Sequence, residues 1–357
     1  MGAFVARRLT DPAVARRFDL VVRGIEADGQ RSVIVLDRTA QTVASGVYLL
    51  LFEGGGWVQL GEEILDRGPD RIARRIVCTG AGFTPAVDER GSWSGIYFPT
   101  PTDAGLEASE IILDTPAGPA PAWMIPGVSD SSAWAIHIHG LGSTRVSTLR
   151  GVQVAREIGL TSLVPSFRND GEGPRRARGR SELGYAEVDD IDVAIQYALR
   201  HGAQRIVLFG WSMGAIIALQ LAERPQYRNI IAGLVLDSPV LDWNATIKAN
   251  CVRAGLPAVV GDLAMPWLSA TRLARLIGLS SRIPIRTSWG RRGRRAPLRI
   301  LILHGARDDS APISAAEAIR DRSPQLVELI VFDAAHTMPW NADRDRWRMV
   351  VTTWLMT

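Results

Sequence analysis

A serine becomes a nucleophile only when a neighbouring base takes its proton, and Gly210-Trp211-Ser212-Met213-Gly214 presents a serine in a setting suited to that chemistry. The pentapeptide follows a strand-like run, Arg205 to Phe209, and leads into a helix-like run from Met213 to Glu223. A G-x-S-x-G sequence between a strand and a helix is the pattern of a nucleophile elbow. The serine of such a turn sits at a strained positive φ, and glycines on either side let the chain pass close by. A helix starting at Met213 also places its N-terminal end beneath Ser212, where negative charge is favoured.

The base and an orienting acid must come from elsewhere, and two later strand-like runs each end in a loop that carries them. Arg299 to Leu303 leads into His304-Gly305-Ala306-Arg307-Asp308-Asp309, which offers two adjacent carboxylates. Leu326 to Phe332 leads into Asp333-Ala334-Ala335-His336, which offers an imidazole. In an open parallel sheet such loops gather at the carboxyl ends of the strands, so the three groups can meet there.

The chain has only five histidines, which makes the choice of base short. His201 closes a helix-like segment and His304 precedes the glycine of the acid loop, so both read as structural. His137 and His139 stand two apart on a strand, a spacing that shares a face, but no Cys, Asp or Glu at ligand spacing accompanies them, and no metal is expected. The run Ala135-Ile136-His137-Ile138-His139-Gly140-Leu141-Gly142 reads instead as a strand ending in an H-G-x-G turn. In hydrolases such a turn supplies a backbone oxyanion donor, which makes the amides of Leu141 and Met213 the expected pair.

The elbow, the H-G-x-x-D loop, the late histidine and the H-G-x-G turn together resemble the α/β-hydrolase superfamily over residues 130–357. Ser166-Phe167-Arg168-Asn169-Asp170-Gly171-Glu172-Gly173-Pro174 is similar to the YRND segment of an actinobacterial α/β-hydrolase group that carries an N-terminal extension. Phe167 stands where that group has tyrosine, and Ala215 where a second glycine often follows the elbow. The resemblance implies Ser212 as nucleophile, His336 as base and Asp308, at the H-G-x-x-D position, as acid in preference to Asp309. It implies a serine hydrolase cleaving a carboxylic ester or thioester through an acyl-enzyme, an esterase of class EC 3.1, with a small-molecule acyl substrate and no metal or organic cofactor. A prolyl-oligopeptidase-like peptidase is the alternative enzyme, although a β region without blade repeats is too short for the propeller usual there. A catalytically silent hydrolase-fold binding protein is the alternative outside enzymology.

The elements that must position these residues divide near residue 115. Before it lie short β-like runs, Asp19 to Val22, Ser32 to Leu36, Gly46 to Phe52, Trp57 to Leu60 and Arg75 to Cys78, punctuated by Gly54-Gly55-Gly56 and Gly91-Ser92-Trp93-Ser94-Gly95. Residues 1–115 are therefore expected to form a small β-rich accessory domain. Residues 116–357 alternate strands and helices, including a helix over Glu187 to Arg200 with an acidic start, and are expected to form the catalytic domain around a mostly parallel, doubly wound sheet. The stretch 240–297 is too long for a simple crossover and reads as a helical cap over the site, with Trp243, Trp267 and, after the base, Trp340 as bulky groups. Trp243 and Trp340 are the expected pocket residues.

At 357 residues and 46% hydrophobic the chain is long enough for two domains and a large core. Its net charge is +4 and its pI about 9.5, but the basic residues are mixed with acidic ones except between Arg282 and Arg295. No recognition motif accompanies the charge, so nucleic acid binding is not expected. Cys78 and Cys251 fall in different regions, so no disulfide is expected. The first eight residues have no apolar stretch behind their charges and no run approaches a membrane span, so a soluble cytoplasmic protein is expected, its oligomeric state left open.

Overall fold

The computed structural model describes residues 1–11, 16–28, 31–129, 132–285 and 298–357. Most of the basic cluster anticipated around Arg282 to Arg295 lies outside these residues, with Arg282 alone of its arginines inside.

The chain opens with α1 (Gly2–Leu9) and then enters seven strands, β1 (Leu20–Val21), β2 (Gly24–Asp28), β3 (Arg31–Asp37), β4 (Tyr48–Phe52), β5 (Trp57–Asp66), β6 (Arg71–Thr79) and β7 (Arg90–Ser94). They form one antiparallel half-barrel in the order β1-β7-β4-β5-β6-β3-β2. Alternate residues, Ile34 and Leu36, Leu50 and Phe52, Val58 and Leu60, face its core, as the two-residue period of a strand requires. The segment read as a punctuating turn, Gly91 to Gly95, contributes most of β7 instead. Its glycine and serines hide the apolar alternation, while Gly91 fits against the Leu50 side chain, where a Cβ would stand 2.7 Å from Leu50 Cδ1. Pairing with β4 and β1 decides the conformation.

The second sheet comprises β8 (Ser109–Thr115), β9 (Gly118–Ile125), β10 (Ala133–Ile138), β11 (Thr161–Pro165), β12 (Arg205–Trp211), β13 (Ile231–Asp237), β14 (Arg299–Gly305) and β15 (Val327–Phe332). Its order is β15-β14-β13-β12-β10-β11-β9-β8. The strands from β10 onward pair in parallel, and β8 and β9 join antiparallel at one edge. Because β8 belongs to this sheet, the change of sheet falls between Ser94 and Ser109, ahead of the shift in composition.

Helices α2 (Leu149–Glu157), α3 (Glu187–Arg200), α4 (Met213–Glu223), α8 (Ser314–Arg322), α9 (Pro339–Ala342) and α10 (Arg344–Met356) alternate with these strands. Among the described residues three apolar clusters result: Ile136, Leu208 and Ile216 lie in one, Phe209, Leu301 and Trp347 in a second, and Ile125, Val152 and Val164 in a smaller third. Between β13 and β14 the chain inserts α5 (Trp243–Arg253), α6 (Val259–Ser269) and α7 (Thr271–Leu276), the helical cap. Although it belongs to the first part of the chain, α1 lies against α6 of this cap. Gly2 makes that approach possible, since a Cβ there would fall 2.0 Å from the Leu263 carbonyl oxygen. No helix among the described residues is long and apolar enough to cross a membrane.

Candidate active site

β12 delivers Ser212 into a turn at φ 52°, ψ −114°, immediately before α4. Few side chains adopt that conformation, and it persists because the surroundings leave the chain no other path. A Cβ on Gly210 would meet Ala215 Cα at 2.7 Å, and one on Gly214 would meet the Ile138 carbonyl oxygen at 2.1 Å. The two glycines of the motif are thus demanded by the packing of α4 against β12 and β10. The H-G-x-G turn closes on the same point, because the Gly140 backbone passes Ser212 so closely that a Cβ would lie 3.0 Å from Ser212 Cβ and 3.6 Å from its Oγ. Leu141 follows directly, and Met213 is the first residue of α4.

From the loop after β15, His336 places Nε2 2.8 Å from Ser212 Oγ and Nδ1 2.7 Å from Asp308 Oδ2. A carboxylate can only accept, so Nδ1 carries the proton and Nε2 is left to accept from the serine hydroxyl. The Asp308 side chain is fully buried, that of His336 21% exposed. Burial pushes the Asp308 carboxyl up, but His304 and His336, with the amide of Ala311, more than offset this and hold it below the ordinary carboxylate range. Asp309 points away: its carboxylate is exposed and lies 3.7 Å from Arg253.

Several groups that the sequence left as scaffold or unmentioned brace this arrangement. His304 Nε2 lies 2.9 Å from the Ala311 carbonyl and 3.4 Å from Asp308 Oδ2. Ser238, at φ 47°, accepts the amide of Thr337, at φ 57°, with its Oγ at 2.9 Å. The same hydroxyl donates to Asp237, whose carboxylate also accepts from Trp347 Nε1 at 3.0 Å. Burial raises the Asp237 pKa against the opposing pull of Arg150, itself buried. Apart from His304, which opens the H-G-x-x-D loop, none of these residues belongs to a recognisable motif, and only their convergence behind residue 336 reveals the role.

The RND segment has structural work of its own. Arg168 forms a two-pronged ion pair with Asp190 of α3, both bonds at 2.7 Å. Asn169, at φ 64°, bridges Arg180 and Arg176 through its amide group. Asp170 accepts from His139 at 3.0 Å, so the histidine of the H-G-x-G turn is fixed from behind. His139 Nδ1 faces the Gly140 carbonyl at 3.0 Å, and His137 bonds Ser162 at 3.1 Å.

The two tryptophans expected at the pocket are both buried. Trp340 is wholly buried, its ring edge-on to Tyr97 and Trp347 at 5.8 and 5.1 Å between centroids. Trp243 is also buried and donates Nε1 to the Leu183 carbonyl at 3.1 Å. Large rings so close to the sheet gain more from core burial than from lining a wet cleft. Among the described residues, a cavity of about 620 Å³ is lined by Leu141 and Gly142 of the H-G-x-G turn, with walls from α5 and α1.

Comparison with known proteins gives two family matches. Residues 124–350 match the model described as the alpha/beta hydrolase family, and residues 21–94 match a domain of unknown function, DUF8805. Among solved structures, an esterase of Pyrococcus furiosus is 21% identical with a TM-score of 0.54, covering 72% of this chain and 95% of its own. An esterase of a Rhodococcus species is 15% identical with a TM-score of 0.50, covering 70% of this chain and 99% of its own. At these identities the likeness is one of fold: the second sheet with its helices has the α/β-hydrolase architecture. No curated protein matches the chain.

Proposed function

Since the chain belongs to the alpha/beta hydrolase family, we propose that it is a serine hydrolase that cleaves a small-molecule carboxylic ester or thioester through an acyl-enzyme. The observation that carries this reading is the unbroken path Ser212 Oγ, His336 Nε2, His336 Nδ1, Asp308 Oδ2, with links of 2.8 and 2.7 Å. His336 takes the serine proton as Oγ attacks the acyl carbonyl, then gives it to the departing alkoxide or thiolate. Asp308 holds the ring in the required tautomer and stabilises it when charged. The amides of Leu141 and Met213 stabilise the tetrahedral oxyanion, Leu141 because its turn runs against Ser212 and Met213 because it opens α4. Water activated by His336 then releases the acid and restores the serine, so no atom is needed from a cofactor.

Two arms test this. A fluorophosphonate, which phosphonylates only an activated serine, should label the wild type and not Ser212→Ala. Asp308→Asn should lower kcat for p-nitrophenyl esters by roughly 10⁴, as expected when the imidazole loses its orienting carboxylate, while Asp309→Asn should keep most of the activity. An unlabelled wild type would favour the silent binding protein, and equal losses for the two aspartates would overturn the assignment of the acid.

A further inference from the structure

We propose that α1, which precedes both family-matched segments, is one wall of the substrate pocket, and that the pocket takes an acyl ester or thioester bearing a negative charge. The inference rests on the serine-hydrolase reading and adds the substrate class. The cavity beside Leu141 and Gly142 has Val5 and Leu9 of α1 on one side and Ile247 and Leu256 of the cap on the other. Its volume of about 620 Å³ lies inside the roughly 300–1,000 Å³ typical of small-molecule sites. Asn250, also in its lining, donates to the Ser310 carbonyl at 3.0 Å, two residues from Asp308. The space therefore borders the turn that carries Leu141, and its Asn250 is tied to the loop that carries Asp308.

The charge on its walls is one-sided. Arg8, Arg17 and Arg253 line it against a single acid, Asp11. Arg253 is engaged by Asn250 at 2.6 Å and lies 3.7 Å from Asp309. Arg8 and Arg17 have no carboxylate partner among the described residues, so apolar walls lead to two uncommitted guanidiniums. A neutral chain would gain from the walls and leave the cations unused, whereas an anionic group on the substrate would pair with them.

α1 is held firmly enough to serve as a wall. Ala6 is completely buried in the main core, Arg180 donates to the Arg7 carbonyl at 2.7 Å, and the amide of Ser181 donates to the Thr10 carbonyl at 2.9 Å. The face carrying Val5, Arg8 and Leu9 follows helical spacing and is the one turned to the cavity.

The negative charge has two possible locations, and paired probes separate them. On the acyl side, the p-nitrophenyl monoester of adipic acid is compared with p-nitrophenyl hexanoate. On the leaving-group side, hexanoyl-coenzyme A is compared with the hexanoyl thioester of N-acetylcysteamine. In one pair the Arg8→Gln, Arg17→Gln double variant should reduce the charged-to-neutral ratio of kcat/KM by at least about fivefold, the size of a partly solvated ion pair. The responding pair identifies where the charge sits. Independently, Val5→Trp should shift the preferred ester chain length downward. An unchanged ratio in both pairs, or an unaltered chain-length profile in Val5→Trp, overturns the proposal while fluorophosphonate labelling of Ser212 leaves the hydrolase reading standing. Loss of that labelling in the wild type removes both.

Discussion

Asn341 and Val47 are bonded to each other twice: Asn341 Nδ2 donates to the Val47 carbonyl at 2.7 Å, and the Val47 amide donates to the Asn341 carbonyl at 3.0 Å. Asn341 lies five positions after His336, so the half-barrel is fastened to the segment that follows that histidine. Gly46 makes the approach possible at φ 108°, where a Cβ would fall 2.0 Å from the Asn341 carbonyl oxygen. Asn341 Oδ1 also accepts from the buried Arg150 at 3.0 Å.

Replacing Asn341 by alanine should therefore cost more than one hydrogen bond. The Val47 carbonyl loses its donor and the Arg150 guanidinium its acceptor, a loss of about 2–4 kcal/mol for buried groups of this kind. Urea titration should show the drop in midpoint. Ester hydrolysis should show kcat falling more than KM rises, because the segment behind the base loosens. A stable variant with unaltered kcat would mean the half-barrel is not mechanically linked to the site.

Ser238→Ala removes the acceptor that holds the Thr337 amide, next to His336. The expected result is a kcat about tenfold lower, equivalent to roughly 1.4 kcal/mol, with KM nearly constant and little change in melting temperature. Ser238→Thr, which keeps a hydroxyl at Cβ, should recover part of the loss. Equal kcat in wild type and Ser238→Ala would show that Thr337 holds its strained conformation without help.

Arg74 is buried inside the half-barrel and forms no ion pair among the described residues. It donates to the carbonyls of Gly61, Thr42, Ala44 and Gly46, and burial lowers its pKa to about 10. It thus shapes the 42–46 loop that meets Asn341. Arg74→Met should leave these carbonyls unpaired and destabilise the protein by about 3–5 kcal/mol. Differential scanning calorimetry on wild type and variant gives the comparison; a difference within about 0.5 kcal/mol, the range of an ordinary surface change, would refute the role.

Acid should weaken the fold in two overlapping windows. Burial drives the His137 pKa from 6.5 down to about 3, so between those values the unfolded chain binds a proton that the folded one refuses. Stability should fall as pH decreases from about 6.5 to 3, and His137→Gln should reduce that slope by about one proton. Asp170 and Asp308 act lower. Burial raises both carboxyls, but their hydrogen bonds prevail and leave each below the ordinary 3.8. Their stabilisation is complete above that value and declines as pH falls beneath it. Denaturant midpoints across pH 3–7 measure the first window, and a slope unchanged by His137→Gln would exclude His137 as its source.

Local chemistry was legible in the chain because it is written in contiguous residues. The elbow around Ser212 has to carry glycines at 210 and 214, since α4 leaves no room for a Cβ, and a two-residue or 3.6-residue apolar period is visible in any strand or helix that faces a core. That is why β12, α3 and α4 could be read directly, and why β7 could not, its glycine and serines being chosen for fit against Leu50. The tertiary structure alone decided that α1 crosses to the cap, that Trp340 packs edge-on against Tyr97 and Trp347, and that Ser238 and Asn341 stand behind His336. Each depends on groups far apart in the chain meeting at hydrogen-bond or van der Waals distance, and no periodicity along the chain encodes such a meeting.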